Sequence, residues 1–342
     1  MKALILGGGG ARGAYEAGVA MALVREERFD IVCGVSIGAI NGAFIAQDDA
    51  AELERIWRSM PSLRVIRLAP EVESLTKMAA GLRRLSQDPL AQRAGALLDL
   101  AREYAALSSG RELTSLQGAL LTQPIADILA PRLKLGWLKH TLIVNATNLN
   151  RGRSEPFYRF AGLNAAEFER IFRSREPHAR ALTHETYLSA ICASSAIPGA
   201  FQPVAIKDDE GIEDRFVDGA ITGNAPIRQA IDAGANEVTV IHMDRADLRP
   251  REQHPASISD IAIAIQDIRH QHMLELDLKL AASVNKAVLA GAAPGKRYVQ
   301  MRVIKPQAPL AVSIMGFDDQ TAIDAALEHG QRDGERYAVR AG

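Results

Sequence analysis

The chain has 342 residues, of which 47% are hydrophobic, enough for one large α/β domain with an insertion or for two domains of ordinary size. Its 40 basic and 41 acidic residues leave a formal net charge of -1, so the overall charge attracts neither nucleic acid nor an anionic membrane. Nucleic acid is therefore excluded as an expected partner, and any membrane contact should be local and peripheral.

The first part of the chain contains two strand, turn and helix units. A short apolar run over 3–6 stops at a glycine run and is followed by a helical pattern over 11–25. A second apolar run over 31–33 stops at Gly34, and residues 37–47 then form a helical pattern rich in small residues. This alternation favours an α/β fold with a mostly parallel sheet.

Between residue 48 and about residue 135 the pattern becomes helical without clear strands, which predicts a helical insertion. Basic and apolar residues interleave there, for example over 77–85. This interleaving favours amphipathic helices packed on the core, with membrane docking as the less favoured alternative.

Strand and helix patterns alternate again in the second half of the chain. Isoleucines recur at helical spacing from Ile258 to Ile268, and we expect this face of a long helix to pack on the sheet. The predicted strands are 141–146, 157–160, 215–217, 237–242 and 298–304, and the predicted helices are 185–194, 226–233, 257–289 and 319–332.

No segment has the character of a targeting or membrane-spanning sequence. The apolar run at 3–6 is too short for a signal-peptide core, and no other run approaches the roughly 20 residues of a membrane span. The only two cysteines, Cys33 and Cys192, lie in apolar segments and are expected to be small buried thiols. These features predict a cytoplasmic protein, either soluble or peripherally attached to a membrane.

The glycine run from Gly8 to Gly13 matches G-x-G-x-x-G between a predicted strand and a predicted helix. Backbone N–H groups converge at such a turn and can bind an anion, either a dinucleotide pyrophosphate or the oxyanion of an acyl-transfer reaction. A dinucleotide site requires an acidic residue at the end of the second strand, whereas Asp30 lies at its start. The glycine pattern alone leaves both anions open.

The segment from Gly34 to Gly38 reads Gly-Val-Ser-Ile-Gly and fits G-x-S-x-G. Its two glycines allow Ser36 to occupy a strained turn between a strand and a helix, with its hydroxyl exposed for reaction. Because the segment falls between a predicted strand and a predicted helix, we interpret Ser36 as a nucleophile rather than a structural serine.

A serine nucleophile requires a base that accepts its proton. A histidine base of the usual α/β-hydrolase kind is disfavoured, because that fold places several strands before its elbow and only two precede Ser36 here. The histidines that would have to serve are His242, His254, His270, His272 and His329, and they share no motif context.

A carboxylate, Asp218, ends another predicted strand, and Gly219 after it permits a sharp turn. Because the carboxyl ends of parallel strands gather at one edge of a sheet, we expect Asp218 to lie near Ser36 and the glycine run. An Asp-Gly turn by itself is common, so this expectation depends on the set of three motifs.

In this order, the three motifs resemble those of the patatin-like phospholipase family. They are Gly8-Gly-Gly-Ala-Arg-Gly13, Gly34-Val-Ser-Ile-Gly38 and Asp218-Gly-Ala220. Two further stretches agree: residues 193–203 resemble the family's Ala-Ser-x-Ala-x-Pro, and Asn224-Ala-Pro226 resembles its Asn-x-Pro. Many members have Asp-Gly-Gly where this chain has Asp-Gly-Ala, and both forms are familiar in the family.

The resemblance implies a three-layer α/β fold with a mostly parallel central sheet flanked by helices, plus the helical insertion. The catalytic domain would span 1–245, and 246–342 would add helices and a strand to the same core. The resemblance also implies a Ser36–Asp218 dyad. The remaining site residues are Gly9, Gly10 and Arg12 for an oxyanion hole, and Gly8, Gly13, Gly34, Gly38 and Gly219 in support of the motifs.

The implied activity is hydrolysis of a lipid carboxylic ester through an acyl-enzyme, with no cofactor and no metal. Arg12 could also orient the glycine run, meet a lipid phosphate or face solvent. Two other functions stay open: a catalytically silent lipid-binding or regulatory protein of this fold, and a Rossmann-type nucleotide-binding oxidoreductase, which leaves the G-x-S-x-G segment unexplained. The sequence predicts no oligomeric state.

Overall fold

The computed structural model describes residues 1–69, 72–73, 76–77, 118–243 and 258–339 of the chain. These residues form a nine-stranded sheet, a separate two-stranded sheet and helices on both faces of the larger sheet. The strands are β1 (Lys2–Leu6), β2 (Ile31–Val35), β3 (Gly118–Leu120), β4 (Thr141–Asn148), β5 (Arg153–Arg159), β6 (Arg180–Ala181), β7 (Gly199–Phe201), β8 (Val204–Lys207), β9 (Glu213–Asp218), β10 (Glu237–Ile241) and β11 (Gln300–Ile304). The α-helices are α1 (Gly13–Glu26), α2 (Ile37–Ala46), α3 (Ala50–Arg58), α4 (Gln123–Leu129), α5 (Ala165–Arg175), α6 (Thr186–Ser194), α7 (Ile227–Asp232), α8 (Ile258–Leu289) and α9 (Gln320–Val339).

The centre of the large sheet is parallel, in the order β11-β10-β1-β2-β4. Beyond it, β5 and β9 both run antiparallel to β4, β6 pairs with β5, and β8 pairs with β9. The predicted mostly parallel sheet flanked by helices is confirmed.

Alternate residues of the central strands face opposite sides of the sheet. Leu4 and Leu6 belong to a core that includes α1, α2, α3 and α9, whereas Ala3 and Ile5 belong to a second core that includes α5, α7 and α8. Because both faces are covered, the central strands appear in the sequence as unbroken apolar runs rather than alternating patterns. The result is a three-layer arrangement.

Helix α9 packs closely along α1. A Cβ atom added at Gly18 would collide with the carbonyl oxygen of Leu327, and one added at Gly330 would collide with the carbonyl oxygen of Tyr15. The contact is also polar, because the buried Tyr15 hydroxyl donates to Asp333 Oδ2 at 2.9 Å. The first and last described helices are therefore fixed to each other.

We expect Gly330→Val to lower the free energy of unfolding by about 1–3 kcal/mol, because the added atoms force α1 and α9 apart. Urea unfolding of the two proteins measures the difference. Gly136→Val is the matched control, since a Cβ atom at Gly136 meets nothing within 4 Å. Equal urea midpoints for Gly330→Val and the wild type would contradict the close packing of α1 and α9.

The prediction that the isoleucine face of α8 packs on the sheet is wrong. Ile261, Ile265 and Ile268 are 48%, 59% and 56% exposed, whereas Leu274 is buried and Leu278 packs against the second core. At 1.5 Å per residue, a helix of 32 residues is much longer than the five-residue strands beside it, so only part of it can cover the sheet. The sequence pattern could not show which part.

Half of the predicted insertion over 48–135 lies outside the described residues. Its described parts contain α3 and α4, as the helical pattern predicts, but also β3, which the pattern does not predict. β3 is three residues long and pairs in parallel with β7, and so short a strand leaves no periodic pattern. Among the described helices, none has both the length and the apolar character needed to span a bilayer.

Candidate active site

Ser36 lies in the turn between β2 and α2 in a backbone conformation that L-residues rarely adopt. Its φ is 56° and its ψ is -127°. A Cβ atom at Gly34 would collide with the carbonyl oxygen of Gly38, and one at Gly38 would collide with that of Leu6, so the sharp turn requires both glycines. This is the geometry that the G-x-S-x-G pattern predicts.

The side chains of Ser36 and Asp218 are hydrogen-bonded. Ser36 Oγ donates to Asp218 Oδ2 at 2.6 Å, and both residues are buried. The other carboxylate oxygen, Oδ1, accepts the N–H of Ala220 at 2.9 Å. The turn after β9 therefore holds one carboxylate oxygen and directs the other at the serine. A hydroxyl has one proton to donate, and here it goes to Asp218 rather than to a histidine.

Asp218 reaches Ser36 by a route different from the predicted one. Residues 141–145 of β4 pair with β2, and residues 146–148 pair with β9, which runs antiparallel to β4. β9 therefore continues the line of β2 from the opposite direction, and the two strands end head to head. The prediction of a shared carboxyl edge of parallel strands is wrong, although the two residues do meet.

Burial raises the pKa of Asp218 to about 6. The hydrogen bonds from Ser36 and from the N–H of Ala220, together with the positive charge of Arg269, act in the opposite direction but do not cancel the effect of burial. A carboxylate with such a pKa is a stronger base than an ordinary aspartate and is still ionised at neutral pH.

The glycine run packs against the serine. A Cβ atom at Gly8 would lie 3.0 Å from Ser36 Cβ. The N–H of Gly8 donates to Asn224 Oδ1 at 2.7 Å, and the N–H of Ala11 donates to the carbonyl oxygen of Ile314 at 2.8 Å. These two bonds fix Gly8 and Ala11 of the run, and Gly8 lies next to Ser36.

The three predicted oxyanion donors differ in their bonds. The N–H of Arg12 donates to the carbonyl oxygen of Gly9 at 3.2 Å, so it would reach an oxyanion only by giving up that bond. Gly10 has a φ of 58°, a conformation that favours glycine, and a Cβ atom there would collide with the carbonyl oxygen of Ile314. Within the part of the chain that the structure describes, the bonds that hold the run use the N–H groups of Gly8, Ala11 and Arg12, not those of Gly9 and Gly10.

Two serines hold the backbone of the elbow, and neither was predicted as a site residue from the sequence. The N–H of Ser36 donates to Ser194 Oγ at 2.9 Å, and Ser194 Oγ in turn donates to the carbonyl oxygen of Asn145 at 2.7 Å. Ser195 Oγ donates to the carbonyl oxygen of Ser36 at 3.0 Å. Both serines lie in the Ala-Ser-Ser-Ala stretch at 193–196, which from the sequence alone is only a family-like stretch. Asn224, which accepts the N–H of Gly8, is the first residue of the Asn-x-Pro stretch.

An apolar pocket opens beside Ser36 and encloses about 720 Å³, including its open mouth. Its walls come largely from α2, α3 and α4, so described parts of the predicted insertion shape it. Trp57 Nε1 in the wall donates to Asn41 Oδ1 at 3.0 Å, so the indole N–H of Trp57 is already hydrogen-bonded within the protein. Other wall residues are Ile40, Leu53, Ile56, Ile128 and Phe201.

A buried carboxyl, Glu16, lies behind this wall. Asn41 Nδ2 donates to Glu16 Oε2 at 2.9 Å, and burial raises the pKa of Glu16 despite that bond. A carboxyl with a raised pKa is more readily neutral, which suits its fully buried position.

Fold and site together define the class of protein: a three-layer α/β protein with a serine in a nucleophile elbow, the arrangement found in serine hydrolases. The chain belongs to the Patatin family, the patatin-like phospholipases, whose family model matches residues 4–231. The match supports a hydrolase that acts on lipid esters. The predicted resemblance is confirmed, whereas the roles of the individual site residues stay predictions.

Solved structures similar to the chain include two bacterial proteins. VipD from Legionella pneumophila is 15% identical with a TM-score of 0.41, and the match covers 99% of this chain and 67% of VipD. The complex of ExoU and SpcU from the type III secretion system of Pseudomonas aeruginosa is 16% identical with a TM-score of 0.32, and the match covers 99% of this chain and 51% of the other. This chain thus spans about half of that protein's length. No curated protein matches the sequence.

Proposed function

We propose that the chain is a lipid acyl hydrolase in which Ser36 attacks a carboxylic ester and Asp218 accepts its proton. The observation that carries the proposal is the 2.6 Å hydrogen bond from Ser36 Oγ to Asp218 Oδ2 at a strained elbow. The base already receives the proton that the attack must release, so no third residue is required.

In the proposed reaction, attack by Ser36 Oγ on the ester carbonyl generates a tetrahedral oxyanion beside the glycine run. The N–H groups of Gly9 and Gly10 would stabilise it, and loss of one such donor costs roughly 2.7–4 kcal/mol in comparable enzymes. Asp218 then returns the proton to the leaving alcohol, which leaves an ester between Ser36 and the acyl group. A water molecule, deprotonated by Asp218, hydrolyses this acyl-enzyme and restores the serine.

We assign the acyl chain of the substrate to the apolar pocket. Ser36 and Ser195 border the pocket, so an ester carbonyl at Ser36 can extend its chain directly between α2, α3 and α4. Phospholipids, lysophospholipids and neutral glycerides all carry such a chain. Because Cys33 and Cys192 are buried and free, we place the protein in a reducing compartment, where it would meet its lipid by peripheral membrane contact.

A bulky residue in the pocket should shorten the acyl chain that the enzyme accepts. Ile128 on α4 lines the pocket and is half-buried, so Ile128→Trp should fill space with limited strain elsewhere. We expect kcat/KM for p-nitrophenyl octanoate to fall about tenfold or more relative to the acetate, in steady-state assays of both esters. Ile128→Leu, which conserves volume, is the control. An equal loss of kcat/KM on acetate and octanoate would show that the acyl chain does not occupy this pocket.

A further inference from the structure

One cation on α8 reaches the turn that carries Asp218. Arg269 Nη2 donates to the carbonyl oxygen of Ala220 at 3.2 Å, and Ala220 is the residue whose N–H holds Asp218 Oδ1. Its charge is also close enough to Asp218 to act on that carboxylate. Arg269 lies outside residues 4–231, the span of the family match, so it is an addition to the shared motifs.

The guanidinium of Arg269 has donor capacity that the protein does not use. Its Nε is buried and has no hydrogen-bond partner among the described residues. A buried donor without a partner is costly and rare in folded proteins, and a bound water, ion or ligand can supply the missing partner. The planar guanidinium, with five N–H donors, matches the oxygens of a phosphate or a carboxylate.

Arg269 lies outside the apolar pocket. Ser36 and Ser195 border the pocket, whereas neither Asp218, Ala220 nor Arg269 lines it. An ester has two parts, and the pocket suits the acyl part. The alcohol part then lies outside the pocket, where the turn after β9 contacts Ser36 through Asp218 and Arg269 through Ala220. In a phospholipid, the alcohol part carries the phosphodiester.

We propose that Arg269 binds the phosphate of the substrate's alcohol part, so that the site prefers phosphodiester-bearing lipids to neutral glycerides of the same acyl chains. The inference rests on the proposed function, because the phosphate is located relative to a scissile ester at Ser36. Arg269 acts here as a specificity-determining residue, and its bond to Ala220 also helps to orient the turn.

Two soluble esters with the same acyl chains test the proposal: dihexanoyl phosphatidylcholine and dihexanoylglycerol, both kept as monomers. In Arg269→Gln, kcat/KM for the phospholipid should fall about 10- to 100-fold more than kcat/KM for the glyceride, the effect of one hydrogen bond to a charged group. Arg269→Lys keeps the charge without the planar fork, and we expect it to recover part of the loss. The control is Lys279→Gln on the same helix, whose side chain is 75% exposed and which should leave both rates unchanged.

The outcomes separate the two proposals. Equal losses on both esters in Arg269→Gln would show that the arginine only orients the turn, and no loss on either would also overturn the phosphate site. Wild-type hydrolysis of the glyceride alone would overturn the phosphate site while leaving the acyl hydrolase intact. Failure of the wild type on both esters, with no labelling of Ser36 by a fluorophosphonate, would reject the acyl hydrolase and with it the phosphate site.

Discussion

Replacing Ser36 by alanine is expected to lower kcat/KM for ester hydrolysis by about 10⁴-fold or more, because the attacking atom is removed. Asp218→Asn should be nearly as damaging. The amide keeps the shape of the carboxylate, which lies 2.6 Å from Ser36 Oγ, but it cannot act as the base that takes the serine proton. The hydrogen bonds that hold the glycine run involve Asn224 and Ile314 and not the substituted atoms, so the oxyanion donors should persist in both variants.

Labelling by a fluorophosphonate, together with hydrolysis of p-nitrophenyl esters, measures this result. The wild type should be labelled and Ser36→Ala should not, and Ser174→Ala, at an exposed serine on α5, should behave as the wild type. Full turnover in Ser36→Ala or in Asp218→Asn would refute the dyad. An unlabelled wild type would favour the silent lipid-binding protein, and saturable NAD(P) binding would favour the oxidoreductase.

Activity should fall on the acid side with an apparent pKa of about 6. Asp218 accepts a proton only when ionised, so kcat/KM should be constant above this value and decrease about tenfold per pH unit below it. At pH 4 the rate should be roughly 100-fold below the plateau. An ordinary aspartate would place the decrease near pH ~3.9 instead.

The groups that face Asp218 are the Ser36 hydroxyl, the N–H of Ala220 and Arg269. A pH profile of kcat/KM between pH 4 and 8 measures the decrease. Because the pKa of buried Glu16 is raised as well, Glu16→Gln is the matched control. We expect this variant to show the same decrease of kcat/KM at low pH as the wild type. If the decrease of kcat/KM at low pH disappears in Glu16→Gln, the titrating group is Glu16 and not Asp218.

The glycine run and the Ser36 elbow could be predicted because each is a short motif of consecutive residues. The glycines of G-x-G-x-x-G and G-x-S-x-G permit sharp turns between a strand and a helix, and the structure contains both turns. The apolar runs of β1 and β2 were equally informative, because strands covered on both faces need no alternation to be visible.

The partner of Ser36 could not be derived in this way. The role of Asp218 follows only from the family resemblance, and the predicted shared edge of parallel strands does not exist because β9 runs antiparallel to β4. The direction of a strand in the sheet depends on the path of the loops that precede it, and the hydrophobic pattern of the sequence carries no information about that path. The same holds for Arg269, which contributes to the site from the middle of a long helix with no motif around it.

The backbone of Ser36 has a consequence for attempts to engineer this protein. A non-glycine residue in such a conformation costs of order 1–3 kcal/mol, and glycine at position 36 would relieve that cost. The substitution would also delete the hydroxyl. A laboratory evolution experiment that selects for heat resistance alone should therefore enrich inactive sequences at this position, and any thermostable variant has to be selected for turnover at the same time.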